Sequence, residues 1–351
     1  MHRKEHPVDS GDHPFNSVSP HECVKFLEYQ LYTASRIPDI GRLPDPRLFA
    51  THVPFVSLPR SVPGSGCKIV YVCRDPKDIL VSQWKFSNKF RIRDGLEPLS
   101  VEAAADFFCD GLSPGGPYWD HVLGYWRAHM AHPERVLFFR YEDMIRDPAA
   151  HVSKLAEFVG RPFDAGEEDA GTVDAIVRLC SFENMTGLGA TKEGKTELVV
   201  GAVENNWFFR RGMVGDWENH LPPETTRKID AITHASMGHV GISIFMVKTM
   251  TENVTVAESP VIFYTHGEYY NRMVRGTVVS QPTRVQILVL AFISEFPAMR
   301  IQWEETFPST TRYLRWLCKS QDDMPAQSFE DAHRGRLCVC AFMGVSVCAC
   351  I

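Results

Sequence analysis

The sequence predicts an α/β protein: a parallel sheet with helices packed against it. Short apolar runs, Lys68–Cys73 and Val136–Phe139 foremost, read as buried strands, and segments with helical spacing lie between and after them. This alternation implies parallel pairing, because a parallel neighbour is reached only through a crossover connection. The chain has 351 residues, enough to bury a large core.

The elements follow in order. Ser19-Pro20-His21-Glu22 has the capping-box pattern with proline at the first helical position, and predicts a helix carrying Val24, Phe26 and Leu27. Arg47–His52 reads as a short buried strand that ends on a histidine. Lys68–Cys73 is a clearer strand, followed by a polar turn and a helical run from Ile79 to Phe86. Trp119, Val122, Leu123, Trp126 and Met130 recur at helical spacing and predict one inward face before the strand Val136–Phe139. Asp147-Pro148 opens a further helix, with Val152, Leu155 and Phe158 inward and Gly160 as its stop. Beyond about residue 240 the apolar runs are short and uncapped. The 10 basic and 10 acidic residues there cancel, which leaves the whole net charge of −6 on the first part. The expected organisation is a leader over 1–11, a domain over 12–239 and a tail over 240–351.

A composition 44% hydrophobic and 23% charged excludes wholesale disorder, and the net charge of −6 argues against general affinity for nucleic acid. Any phosphate site must be built locally. Met1–Pro7 lacks the apolar stretch of a secretory signal, and the runs Val240–Val247 and Ile287–Ile293 fall short of the roughly 20 residues that span a bilayer, so a cytoplasmic protein with no membrane partner is expected. In that compartment the single cysteines at 23, 67, 73, 109 and 180 act as small apolar residues. The other five follow residue 317, and the pairs Cys338/Cys340 and Cys348/Cys350 are too closely spaced for an ordinary zinc site; no metal is expected.

In open α/β sheets ligands bind beyond the carboxyl ends of the strands, so the residues there are where chemistry is sought. Arg74-Asp75-Pro76-Lys77-Asp78 follows one strand, and Ser82 lies on the first turns of the next helix. A guanidinium fork, a hydroxyl and helix N-terminal amides can hold a phosphate; the same residues also make a salt-bridged turn capped by Asp75 or Asp78. His52 is either a general base or a buried structural histidine. Trp207-Phe208-Phe209-Arg210-Arg211-Gly212 interleaves aromatics with arginines, which suits a nucleotide with an extra phosphate or, more simply, a surface loop with apolar anchors.

Five ordered words join these features. Arg47-Leu48-Phe49-Ala50-Thr51-His52-Val53-Pro54, Ile69 to Asp78, Tyr141-Glu142-Asp143-Met144, Ser181-Phe182-Glu183-Asn184-Met185 and Phe209 to Trp217 resemble the plant-type cytosolic sulfotransferases over about residues 12–232. The resemblance implies the sulfotransferase fold, which is similar to that of P-loop NTPases, and sulfuryl transfer from 3′-phosphoadenosine-5′-phosphosulfate (PAPS) to a small hydroxylated acceptor such as a flavonoid, steroid or hydroxyjasmonate. It implies His52 as the catalytic base, and Arg74, Ser82 and the Arg210-Arg211-Gly212 segment as holders of the 3′-phosphate. It places Tyr141, Ser181, Phe182 and Phe208 around the adenosine.

The chain departs from the family pattern in three places. Arg211 stands where lysine is usual, and Glu218 follows Trp217 where lysine is usual. The family's opening strand and Pro-Lys-Ser/Cys-Gly-Thr-Thr-Trp loop, which wraps the 5′-phosphosulfate, has no match in Met1–Phe15. The expectation is therefore an N-terminally incomplete domain with impaired turnover. Two other readings stand beside it. One is a non-catalytic remnant that binds 3′-phosphoadenosine-5′-phosphate (PAP). The other is a phosphotransferase built on Gly189-Ala190-Thr191-Lys192-Glu193-Gly194-Lys195-Thr196, which fits the P-loop pattern but follows polar, glycine-containing sequence instead of a buried strand.

Overall fold

In the computed structural model, which describes residues 3–31, 47–58, 62, 66–113 and 116–238 and the backbone of 285–290, the parallel sheet forms with five strands. These are β1 (Lys25–Phe26), β2 (Arg47–Ala50), β3 (Lys68–Cys73), β4 (Val136–Arg140) and a strand over Val285–Leu290. A separate antiparallel hairpin pairs β5 (Lys195–Leu198) with β6 (Gly201–Glu204), so the 285–290 strand is β7. The order across the main sheet is β1-β2-β7-β3-β4, and every pair in it is parallel. Ile287 is in register with Phe49 on one side and Ile69 on the other. Six residues from the expected tail over 240–351 thus form the central strand. The rest of the expected tail, including Cys338–Cys350, lies outside the described residues.

Helix α1 (Pro76–Arg93) extends past both ends of the expected Ile79–Phe86: Asp75 sets its start by accepting from the Lys77 amide at 2.8 Å, and Phe90 is buried on its last turns. Helix α2 (Val101–Cys109) is capped likewise by Ser100. Helix α3 (Tyr118–Ala131) buries Trp119, Val122 and Leu123, but its last turn carries Met130 out to 64% exposure, past the reach of the core. After β4, helix α4 (Tyr141–Arg146) leads into α5 (Pro148–Phe158), capped by Asp147 and followed by Gly160 at φ 72° as the sequence predicts. Helix α6 (Pro223–Met237) completes the layer. The core lies between sheet and helices, where Tyr71 stacks on Tyr125 at 4.2 Å and Ile79, Val81 and Val122 are wholly buried. Burying each such side chain is worth roughly 1.5–3 kcal/mol. Cys67 and Cys73 are buried as small apolar residues, whereas Cys23 is exposed.

The helix expected from Ser19 is cut to one turn, Pro20–Cys23. Ser19 does not cap it; its hydroxyl lies 3.1 Å from that of Thr196 instead. Val24 takes extended angles, and Lys25 and Phe26 pair with Phe49 and Ala50, so sheet pairing overrides the capping signal. The next five residues, Leu27–Leu31, form a single wide π-helical turn that buries Glu28 and Tyr29.

Candidate functional site

Parallel pairing brings the carboxyl ends of β2, β3 and β4 to one edge, and the expected site residues follow those ends: His52 two residues after β2, Arg74 immediately after β3, and Tyr141 immediately after β4. With β7 between β2 and β3, two strand spacings separate the first two, about 10 Å at ~4.8 Å per strand.

The Arg74 guanidinium lies over the Tyr141 ring at 4.5 Å. It donates to the Met213 carbonyl at 2.7 Å and sits 3.3 Å from the Asp78 carboxylate. Asp78, wholly buried on the first turn of α1, also accepts the amides of Gly215 at 2.8 Å and Trp217 at 3.1 Å. That carboxylate ties the 209–217 segment to the helix N-terminus. Within the segment Arg210 is ion-paired with buried Asp216 and reaches Ser82 Oγ at 3.5 Å. Arg210 therefore meets Ser82, and Arg74 meets the same 209–217 segment at Met213, the one side held by Asp216 and the other by Asp78. The Arg210 Nε is a buried donor without an acceptor among the described residues, an arrangement an anion oxygen would satisfy. Asp75 both caps the helix and is pushed up to about 6 by burial, so the turn is capped and arginine-lined at once.

The remaining residues are more dispersed. Arg211 is exposed beside Gly212, whose φ of 63° and close approach to the Phe182 ring leave no room for a side chain. Phe182 is exposed beside Phe209, and Ser181 caps the turn that carries it by accepting from the Asn184 amide at 3.2 Å. Phe208 is buried, with its ring edge-on to His21 at 4.3 Å and stacked on Phe86 at 5.8 Å. His21 continues through Phe26 to His52, which stacks on Phe26 at 4.7 Å.

His52 is buried, and burial together with the neighbouring His121 holds its imidazole well below its usual range. Its Nδ1 lies 2.6 Å from Glu28 Oε1, and its own backbone amide donates to the same oxygen at 2.7 Å. Burial pushes the Glu28 carboxyl up to about 7. His121 lies with one ring nitrogen 3.2 Å from the His52 carbonyl and the other 3.0 Å from the Tyr71 hydroxyl.

The P-loop-like segment takes a different course. Gly189–Lys192 is a single helical turn, Lys195 opens the hairpin strand β5, and its ammonium pairs with Glu204 at 2.8 Å. Thr196 is buried and donates to Asn205 at 2.7 Å. No strand–loop–helix forms there, so that segment makes no phosphate cradle.

The sulfotransferase domain family matches residues 1–241. Among curated proteins, the chain is 43% identical over 243 residues to cytosolic sulfotransferase 5 of Arabidopsis thaliana, covering 69% of this chain and 74% of that protein. It is 41% identical over 236 residues to cytosolic sulfotransferase 1 of the same plant, covering 66% and 70%. The chain belongs to the plant cytosolic sulfotransferase family. Among solved structures, the crystal structure of an Arabidopsis thaliana putative steroid sulphotransferase matches 69% of each chain at 35% identity, with a TM-score of 0.52.

Sequence reasoning on this sulfotransferase does not single out Glu28 or His121, and it marks Asp78 only as a candidate cap and Asp216 only as part of a family word, not as the carboxylates that hold Arg74 and Arg210. A carboxylate inside the apolar run Phe26-Leu27-Glu28-Tyr29 is the signal that marks Glu28, since an unpaired charge there would be costly. No helix among the described residues is long and apolar enough to cross a membrane.

His121 carries a pH prediction. Burial lowers it from 6.5 to about 4, so between those values the unfolded chain binds a proton that the folded chain refuses. Stability from neutral His121 is present above pH 6.5 and is lost as the pH falls toward 4, by at most about 3 kcal/mol. In denaturant titrations, the gap between the parent and His121→Gln should narrow from pH 7 to pH 4.5. A constant gap would show that this imidazole is not held neutral.

Proposed function

We propose that this sulfotransferase moves a sulfuryl group from PAPS to the hydroxyl of a small, largely apolar acceptor of the flavonoid, steroid or hydroxyjasmonate type, in the cytoplasm. The Arg210–Ser82 contact beyond β3, with Arg74 bound to the same 209–217 segment, supports this reading, because two guanidinium groups and a hydroxyl in that region suit a dianion. Arg211 and Gly212 would close over the 3′-phosphate, with Tyr141, Ser181, Phe182 and Phe208 on the adenosine side. His52 takes the acceptor's proton as its oxygen attacks sulfur. PAPS, when bound, supplies the sulfuryl group and a leaving group: a new S–O bond forms to the acceptor, and the S–O bond to the 5′-phosphate breaks with its electron pair. The steroid class draws support from the solved relative described as a putative steroid sulphotransferase.

The clamp is tested by binding. PAP should bind more than tenfold more tightly than AMP, which lacks the 3′-phosphate, since a hydrogen bond to a charged group is worth roughly 1.5–3 kcal/mol. Equal affinities by calorimetry would count against the whole donor assignment, and Arg74→Ala should abolish the preference.

A further inference from the structure

We infer that Glu28 is the positioning residue for the His52 base: its carboxylate holds Nδ1 of the imidazole and leaves Nε2 to receive the acceptor's proton. This rests on the reading of His52 as the base, and it goes further by fixing which nitrogen acts and what makes it basic.

One oxygen, Glu28 Oε1, lies 2.6 Å from His52 Nδ1 and 2.7 Å from the backbone nitrogen of the same residue. Two contacts from one atom to one residue fix both the strand end and the torsion of the ring. Above pH 7 Glu28 is ionised and can only accept, so there the proton on that side of the imidazole belongs to Nδ1. The ring is gripped elsewhere by apolar contacts, with Phe26 stacked at 4.7 Å and Tyr29 edge-on at 5.4 Å. His121 faces the His52 carbonyl, and Thr51 stands beside Glu28. The ionisable side chains about the imidazole are therefore Glu28, Tyr29 and His121.

The charge balance explains what the carboxylate adds. With Glu28 ionised and His52 neutral the pair carries one negative charge in a site that excludes water. When Nε2 takes the hydroxyl proton the pair becomes a neutral ion pair. Burial by itself disfavours a proton on His52, and the ionised carboxylate offsets this, because uptake turns the pair's net charge into a neutral ion pair as the acceptor oxygen attacks. A structural histidine needs only a backbone carbonyl as partner. The cost of a carboxylate buried among Phe26, Tyr29 and the end of β2 points to a group kept for its charge.

The test has two arms on the full chain. In a 15N-histidine-labelled protein, with the His52 signals identified by their loss in His52→Gln, the proton is expected on Nδ1 and not on Nε2. In assays with labelled PAPS, Glu28→Gln should lower kcat by about 10²-fold, as expected when the orienting group of a base is lost, and leave PAP affinity unchanged. The acid limb of the kcat/KM profile should move to lower pH, and Glu28→Asp should recover part of the loss. A proton on Nε2 in the parent chain overturns the proposal even if the Glu28 variants do not fold. Full activity in Glu28→Gln alongside an inactive His52→Ala overturns it while leaving the base assignment intact, whereas full activity in His52→Ala removes both.

Discussion

Replacing His52 by alanine is expected to lower sulfuryl transfer by about 10²–10⁴-fold, the usual loss when a general base is removed. The expectation rests on place and on chemistry. His52 follows β2 on the same sheet edge as the arginine clamp, and its ring is locked by Phe26 and Glu28 so that little reorganisation is needed when an acceptor arrives. Because two strand spacings separate it from Arg74, the variant should keep the parent's affinity for PAP. That retention is the control, since a collapsed site would lose both. The measurement is single-turnover transfer from labelled PAPS to a panel of phenolic and aliphatic alcohols, with melting followed in parallel. Running the same pair in a chain extended by the family's Pro-Lys-Ser/Cys-Gly-Thr-Thr-Trp loop keeps a slow parent from hiding the loss. An undiminished rate in His52→Ala would take the histidine out of the mechanism.

Much of the architecture is legible in the sequence because local signals and packing agree. The run Lys68–Cys73 is apolar throughout and β-branched in part, and it becomes a strand buried on both faces. Asp147-Pro148 and Gly160 mark the ends of a helix with little competition from other pairings. Where local and distant preferences conflict, the sequence misleads. Ser19 has a good cap pattern, but pairing of Lys25 and Phe26 with β2 ends the helix after one turn, and the hydroxyl is drawn to Thr196 far along the chain. The clamp is half legible: Arg74 and Ser82 sit close in sequence after a strand, whereas Arg210 reaches Ser82 only because buried Asp78 gathers the amides of Gly215 and Trp217. No spacing rule reports a contact between residues 78 and 215. Glu28 meets His52 for the same kind of reason, across the β1–β2 pairing.

The largest structural effect is expected at β7. Proline at Ile287 or Leu288 should unfold the domain or keep it from accumulating in soluble form. A residue in a strand flanked on both sides gives its amide to one neighbour or the other, so proline there must break a ladder bond with β2 or β3, and its ring crowds the pleat. An unpaired buried backbone group costs about 1–3 kcal/mol, and a loss of that size lowers the melting midpoint by roughly 2–4 °C per kcal/mol in a domain of this length. If the strand leaves altogether, β2 and β3 each present an open edge at the middle of the sheet, where pairing with other chains is favoured. The site would suffer with the fold, because β7 sets the distance between His52 and Arg74. Ile287→Pro should therefore weaken PAP binding as well as lower the melting midpoint, whereas His52→Ala should do neither to a comparable degree. Unchanged melting and PAP affinity in Ile287→Pro would show that the sheet closes without residues 285–290 and that the base and the clamp are held apart by other means.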